Sequence, residues 1–279
     1  MTLSGNTPCH PGKRRGSRRC DEGAGRPVVI VTGADSGIGY GLTVALLGQQ
    51  YRVAAIDVAL DELAEPGGRF PEFLRLYRCD VTQADEVRET VNAIIREWGR
   101  IDVLFNNACL ALFRRFEEKA VQDTRREFEV NYFGYVHMIT AVLPHMKSQG
   151  GGVIHNVSSG VGLTGFPGLS GYASTKGAIE ALSRTLAMEL AGDGVAVSVV
   201  HPPLTATKSA APLGLPPQAM ADPASIGRSL ARHIVSRKAV VTPDWRTGFW
   251  VCLARCFPVT MGKLMSALAA KSRAGRQNE

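Results

Sequence analysis

Apolar residues along this chain follow two alternating rhythms. Short runs, many of them β-branched, cover 28–32, 52–57, 73–79, 102–106, 152–158, 195–201 and 239–242. The first of them, 28–32, is continuous and β-branched, and reads as a strand buried on both faces. Between them the spacing is helical, over about 38–49, 85–98, 125–146, 172–190 and 225–236. The clearest case is 85–98, where Val87, Val91, Ile94, Ile95 and Trp98 fall on one face. Strands alternating with helices of this length predict right-handed βαβ units and a parallel sheet. With no internal repeat and no Pro/Gly-rich linker in the series, one doubly wound α/β domain is expected over 27–243. A polar tail (1–26) precedes it and a helical extension with a basic end (244–279) follows.

Composition changes this picture little. The formal charge of +7 resides at the two ends, +4 within 1–27 and +3 within 263–279, so the interior is neutral in total. A nucleic-acid surface needs basic side chains clustered on a folded face; solvated tails are the expectation, and no nucleic-acid partner. The first 26 residues are rich in Gly, Arg, Ser and Pro without an apolar core segment, and read as a disordered tail rather than a secretory leader. No uncharged apolar run is long enough to span a bilayer. The six cysteines form no CxxC pair and no zinc spacing. No metal is expected, and a reducing cytoplasm suits the free thiols.

Candidate chemistry begins where the first strand ends. Thr32-Gly33-Ala34-Asp35-Ser36-Gly37-Ile38-Gly39 is a glycine-rich turn between a strand and a helix. Glycines there permit a tight turn and let a pyrophosphate approach the helix N-terminus. Asp57 ends the second strand, placed to accept hydrogen bonds from both ribose hydroxyls of NAD and to repel the extra phosphate of NADP. The turn also lacks the Arg or Lys that such a phosphate favours. NAD is therefore preferred to NADP, although a solvated strand-end aspartate gives the same pattern.

Tyr172-Ala173-Ser174-Thr175-Lys176 sets a phenol and an ammonium one helical turn apart on one face. A free tyrosine has a pKa near ~10, too high for a base at neutral pH. A fixed cation nearby favours the phenolate and suits Tyr172 to proton transfer.

Taken together, the glycine turn, Asn106-Asn107-Ala108, Asn131, Ser158-Ser159 and the YASTK segment resemble the short-chain dehydrogenase/reductase family over about 27–243, in order and in mutual spacing. The resemblance implies a Rossmann-type fold and a hydride transfer between nicotinamide and an alcohol or ketone carbon. It casts Ser159 as the hydrogen-bond donor to the substrate oxygen, with Ser158 the lesser candidate. Tyr172 becomes the acid or base, and Lys176 the group that bonds the nicotinamide ribose and holds the tyrosine pKa down. Asn131 becomes the anchor of a water reaching Lys176. It further assigns cofactor contacts to Gly33, Ser36, Gly37, Ile38 and Gly39, to Asp57 on the ribose, and to Asp80 and Val81 on the adenine. Asn106 and Ala108 would line the cofactor, with Tyr172 and Lys176 beside it and Thr205 and Thr207 on the carboxamide. Two departures stand out: Cys109 replaces the usual glycine after Asn-Asn-Ala, and Pro203 replaces the glycine after Pro202, which removes an amide hydrogen from the nicotinamide loop.

The segments expected to border the substrate, 163–169 and 204–224, carry Leu163, Phe166, Pro167, Leu169, Leu204, Leu213, Leu215 and Met220 with few charges. They suit a small lipophilic alcohol or ketone, or merely pack a lid. His201 reads as a strand-end residue. In the extension, Trp245, Phe249, Trp250, Leu253 and Phe257 form one apolar face broken at Pro258. Packing against protein is the expectation for that face; the alternative is peripheral membrane contact through 244–271, with Arg246, Arg255, Lys263 and Lys271 meeting anionic lipid. The family resemblance implies a homodimer or homotetramer through the long helices around 120–147 and 172–190. The leading functional expectation is an NAD-linked dehydrogenase of a hydrophobic secondary alcohol, or the matching ketone reductase. Its rivals are an NADPH-dependent carbonyl reductase and a non-catalytic nucleotide-binding scaffold.

Overall fold

The computed structural model of the chain describes residues 25–213, 218 and 220–276. Most of the expected polar tail (1–24) and Leu215 lie outside the described residues. Among those described, seven parallel strands form one sheet: β1 (Val28–Thr32), β2 (Arg52–Asp57), β3 (Leu74–Arg78), β4 (Val103–Asn106), β5 (Gly152–Val157), β6 (Val195–Val200) and β7 (Val240–Val241). Their order across the sheet is β3-β2-β1-β4-β5-β6-β7. The helices are α1 (Gly37–Gly48), α2 (Ala64–Arg69), α3 (Ala84–Trp98), α4 (Val121–Phe128), α5 (Gly134–Ser148), α6 (Val161–Thr164), α7 (Ser170–Glu189), α8 (Pro223–Ala231), α9 (Trp245–Cys256) and α10 (Pro258–Arg276). The strand order reverses between β1 and β4, and ligands of open α/β sheets bind in the crevice at such a reversal.

Alternation along β1 shows why its apolar run is continuous. Val29 and Val31 face one core with Leu42 and Leu46 of α1 and Ile226 of α8. Val28 and Ile30 face the other, with Val87, Val91 and Ile94 of α3 and Met138 and Val142 of α5. A strand covered on both sides has no polar face to show. The expected stripe on α3 packs as its spacing predicts, with Val87, Val91 and Ile94 fully buried; Gly99, in the left-handed region at φ +73, ends it.

Two expectations need revision. The single helix over 125–146 starts earlier and contains a wide π turn, Glu129–Phe133, between α4 and α5, with Asn131 buried at its centre. One inserted residue of this kind re-aims the side chains that follow, and such turns cluster at functional sites. The apolar face of the extension is also not the face that packs within the chain. Val251 and Ala254 of α9 and Met261 and Ala269 of α10 turn inward, whereas Trp245, Phe249, Trp250 and Phe257 are exposed. Both helices rest on α6. No helix among the described residues is long and apolar enough to cross a membrane.

One polar side chain of the core sets an acid limit on stability. His155 of β5 is buried, its Nε2 2.8 Å from the Ile234 carbonyl and its ring 5.8 Å from that of Phe105. Burial is the main cause that pulls its pKa down to about 4, the Ile234 carbonyl opposing in part. An unfolded histidine titrates near ~6.5, so between that pH and about 4 the unfolded chain takes up a proton that the native one refuses. Stability therefore falls with pH across this window, by roughly 3 kcal/mol at its acid end. Urea melts from pH 7 to 4.5 should show a pH slope for His155→Gln that is shallower than wild type by about one proton. Equal slopes would contradict this account.

Candidate active site

The glycine turn is locked from the neighbouring strand. Gly33 and Gly37 hold φ of +62 and +54, where a Cβ is strained. Asn107 Nδ2 donates to the carbonyls of Thr32 (3.1 Å) and Gly33 (3.0 Å), while Thr32 Oγ1 accepts from the amides of Asn107 (2.9 Å) and Ala108 (3.1 Å). Ser36 precedes α1 without a side-chain cap, and the first turn of α1 holds no acidic residue. Its leading amides thus meet the carboxyl edge of the sheet uncapped, with the positive end of the helix dipole behind them. This arrangement fits the pyrophosphate of a dinucleotide. Thr207, from the loop after β6, closes over it: a Cβ on Gly37 would stand 3.0 Å from Thr207 Cγ2.

The other residues expected around a cofactor are placed unevenly. Asp57 reaches the turn, its Oδ2 accepting from the Asp35 amide (2.9 Å) and its Oδ1 from Val58 (2.8 Å). Asp35 in turn accepts from the amides of Leu63 (2.8 Å) and Glu62 (3.2 Å), so two carboxylates occupy the mouth beyond β2. Asp80 Oδ1 accepts from Thr82 (2.9 Å) and its side chain edges a hollow of about 420 Å³ shared with Leu110, Arg126 and Val130. Val81 is buried, its carbonyl 3.0 Å from His137 Nδ1. Asn106 turns its side chain into the sheet and donates to Asn156 Oδ1 (2.9 Å), while Asn107 and, as expected of the segment, Ala108 meet the glycine turn. Thr205 is buried, its hydroxyl given to the Pro203 carbonyl (2.8 Å). The loop after Pro203 closes on itself through Ala206 and Ala221 (2.9 Å) and through Ala221 and Leu204 (2.8 Å).

The proton-transfer candidates do come together. Tyr172 and Lys176 lie one turn apart on α7, with the Lys176 ammonium 5.6 Å from the centre of the Tyr172 ring. The Ser159 hydroxyl faces the Tyr172 phenol closely enough to favour its ionised form. Ser158 is buried and donates to the Lys176 carbonyl (3.2 Å), away from the phenol. Asn131 has its carboxamide committed: Oδ1 accepts from Leu110 N (2.7 Å), and Nδ2 donates to Leu110 O (2.8 Å) and Thr175 Oγ1 (3.0 Å). Its side chain is a clamp between the loop after β4 and α7.

The electrostatics depart from the simple expectation that Lys176 holds the phenol down. Lys176 is buried and donates to the Val157 carbonyl (2.8 Å) and to Tyr135 Oη (3.4 Å). Burial lowers its own pKa, a thiolate at Cys109 opposing. Burial likewise pushes the Tyr172 phenol well up; a thiolate at Cys109 pushes the same way, and the Ser159 hydroxyl pulls back. Fully buried Tyr135, one turn past Asn131, absorbs part of the ammonium's reach. Its apolar-looking position in the helix hid it from sequence reasoning.

A second pair also escaped that reading. Lys119 Nζ lies 2.6 Å from Glu127 Oε2, both side chains all but inaccessible. Lys119 also donates to the Leu112 carbonyl (3.0 Å), and Glu127 Oε1 accepts from the Leu112 amide (2.8 Å). The pair sits under the first turn of α7, where a Cβ on Gly171 would collide with Glu127 Oε2. It thus fixes the loop at Leu112 against the start of the helix that carries Tyr172. On the far side of α7, Glu180 contacts His201 (2.8 Å) and Arg255 (3.1 Å). Burial resists its ionisation, but His201, Ser158 and Arg255 together hold its carboxyl below the ordinary range. His201 is fully buried there, away from Tyr172. Among the described residues no group of three His, Cys, Asp or Glu side chains could hold a metal ion.

With this geometry in hand, the similarities to known proteins are informative. Residues 27–216 match the family model described as short chain dehydrogenase. A 3-oxoacyl-[acyl-carrier-protein] reductase of Thermotoga maritima is 36% identical over 181 residues, covering 63% of this chain and 72% of that protein. A solved short-chain dehydrogenase of Streptomyces avermitilis superposes with a TM-score of 0.75 at 25% identity, covering 92% of this chain and 99% of the other. ElxO, solved with NADP bound, has a TM-score of 0.69 at 26% identity, covering 78% of this chain and 97% of its own. This chain belongs to the short-chain dehydrogenase family.

The Lys119–Glu127 pair yields a direct test. Lys119→Met would leave a buried carboxylate without its cation and should destabilise the fold by about 3–5 kcal/mol in urea melts. Replacing both partners by methionine should recover much of that loss. A single variant as stable as wild type would show that the pair is not coupled.

Proposed function

We propose that this member of the short-chain dehydrogenase family moves a hydride between NAD(H) and a hydrophobic secondary alcohol or the matching ketone, with Tyr172 as the proton-transfer group. The observation carrying this reading is the convergence of Ser159, Tyr172 and Lys176 beside an uncapped α1 N-terminus at the carboxyl edge of the sheet. The nicotinamide supplies or accepts the hydride when bound. The amides opening α1 would hold its pyrophosphate, and Asp57 its ribose. Ser159 would donate a hydrogen bond to the substrate oxygen, and Tyr172 would pass a proton to or from that same atom. Asn131 contributes as the clamp that keeps the loop after β4 against α7.

Two carboxylates at the β2 mouth, Asp35 and Asp57, support NAD over NADP, since a 2′-phosphate there would meet like charge. A lipophilic substrate is supported by the apolar character of the segments that follow Ser159 and β6, where Leu163 and Phe166 are partly buried and Leu204 is exposed. The Thermotoga relative is a reductase of a keto group on an acyl chain, which is chemistry of the same type. An apolar groove of about 490 Å³ between α5 and α7, lined by Val136, Ile139, Leu143, Leu182 and Leu186, supports a homo-oligomer through those helices. Four free thiols among the described residues suit a reducing, cytoplasmic setting.

The raised phenol pKa gives the reaction a pH signature. Tyr172 keeps its proton through neutral pH, ready to protonate a forming alkoxide, so ketone reduction should hold its rate from pH 6 to 8. Alcohol oxidation needs the phenolate and should rise about tenfold per unit of pH over the same range. Tyr172→Phe should abolish both directions while leaving dinucleotide affinity within about threefold. Turnover retained in that variant would refute the role of Tyr172. Titration by fluorescence should find NADH bound at least roughly tenfold tighter than NADPH; the reverse order would overturn the reading of Asp57.

A further inference from the structure

The extension places an unusual surface next to the site. Trp245, Phe249, Trp250 and Phe257 of α9 and its C-cap are half to three-quarters exposed, and Leu264 and Leu268 of α10 continue the apolar side chains. Large aromatic groups left in water at this density mark an interaction face. The charges within the helices have one sign: from Trp245 to Arg276 the sequence contains six basic residues and no acidic one, while Asp244 before them turns its carboxylate onto the Thr247 amide as the cap of α9. Arg246 and Lys263 are exposed among the apolar groups. Arg255 is drawn away, toward Glu180.

We propose that α9 and α10 dock this chain on an anionic lipid bilayer, the aromatic side chains entering the headgroup layer and the basic ones meeting lipid phosphate. Exposed Trp and Phe beside Arg and Lys, on helices too polar to span, is the composition of a helix lying in the membrane interface. A second copy of the chain fits this face less well. A two-fold contact sets a patch against itself, and helices without carboxylates would oppose cation to cation. The location gives the docking a use. Both helices rest on α6, directly after Ser159, and a Cβ on Gly262 of α10 would stand 2.6 Å from the Thr164 carbonyl. Because α9 and α10 lie between α6 and the docked face, a docked chain would hold the border of the site one helix thickness from the layer in which lipophilic alcohols and ketones dissolve. The docking itself does not depend on the catalytic reading.

Co-sedimentation of the full chain tests it, with vesicles of phosphatidylcholine alone and of equal parts phosphatidylcholine and phosphatidylglycerol. The anionic vesicles should bind at least roughly tenfold more protein, less so as salt is raised. Tryptophan emission should shift to the blue on binding. The paired change Phe249→Ser with Trp250→Ser should lower binding to both vesicles roughly tenfold, and Arg246→Glu with Lys263→Glu should remove the preference for the anionic ones. All four positions are exposed, so both variants should fold and turn over a water-soluble substrate at the wild-type rate without vesicles. Absence of vesicle binding, or binding indifferent to both variants, would overturn the proposal. So would a lipid-free dimer in sedimentation velocity that the Phe249/Trp250 variant dissociates, because it would assign the face to a second copy.

Discussion

The site depends on one amide side chain. Asn131 spends two donors and an acceptor on Leu110 and Thr175, and in doing so joins three parts of the chain that share no sequence neighbourhood: the loop leaving β4, the π turn between α4 and α5, and α7. Buried amides must satisfy their hydrogen bonds or forfeit the energy of burial. Here every satisfied bond also fixes the distance between the crevice wall and the helix carrying Tyr172 and Lys176. The wide turn is what aims the side chain at both partners; a regular helix would present another residue at that angle.

Within this frame, one force acts on both central groups. Burial disfavours charge on Lys176 and on Tyr172 alike. The ammonium is compensated by the Val157 carbonyl and the Tyr135 hydroxyl, and the phenol mainly by Ser159. The apolar, enclosed character of the site thus decides the resting protonation, and the cation one turn away moderates it less than spacing alone suggests. A dielectric argument outweighs a proximity argument because the lysine's nearest polar partners are other than the tyrosine.

The fold was legible because strands buried on both faces leave an unbroken apolar run that few other structures explain, as 28–32 and 195–200 do. The glycine turn and the YASTK segment were legible for a related reason: their geometry is local, spanning one turn or one helical repeat. What sequence reasoning missed is non-local. Nothing in the charges at Lys119 and Glu127 distinguishes them from a solvated pair; their burial exists because Gly171, far along the chain, leaves room for a carboxylate. Side-chain direction alternates along a strand, so Asn106 turns into the sheet and Asn107 meets the glycine turn. The π turn has no compositional signature at all. The extension was read for its apolar residues correctly, but which of two apolar faces would find a partner depended on the shape of α6.

Glu180 has a consequence for anyone wishing to shorten this chain. Its carboxylate is shared between His201, at the exit of β6, and Arg255, in the extension. Trimming the polypeptide at the last strand would therefore strip a sequestered anion of one counterion and leave it to His201 and to Arg184, 3.5 Å away on the reactive helix itself. The strand-and-helix core of this chain thus draws part of its internal charge balance from the extension.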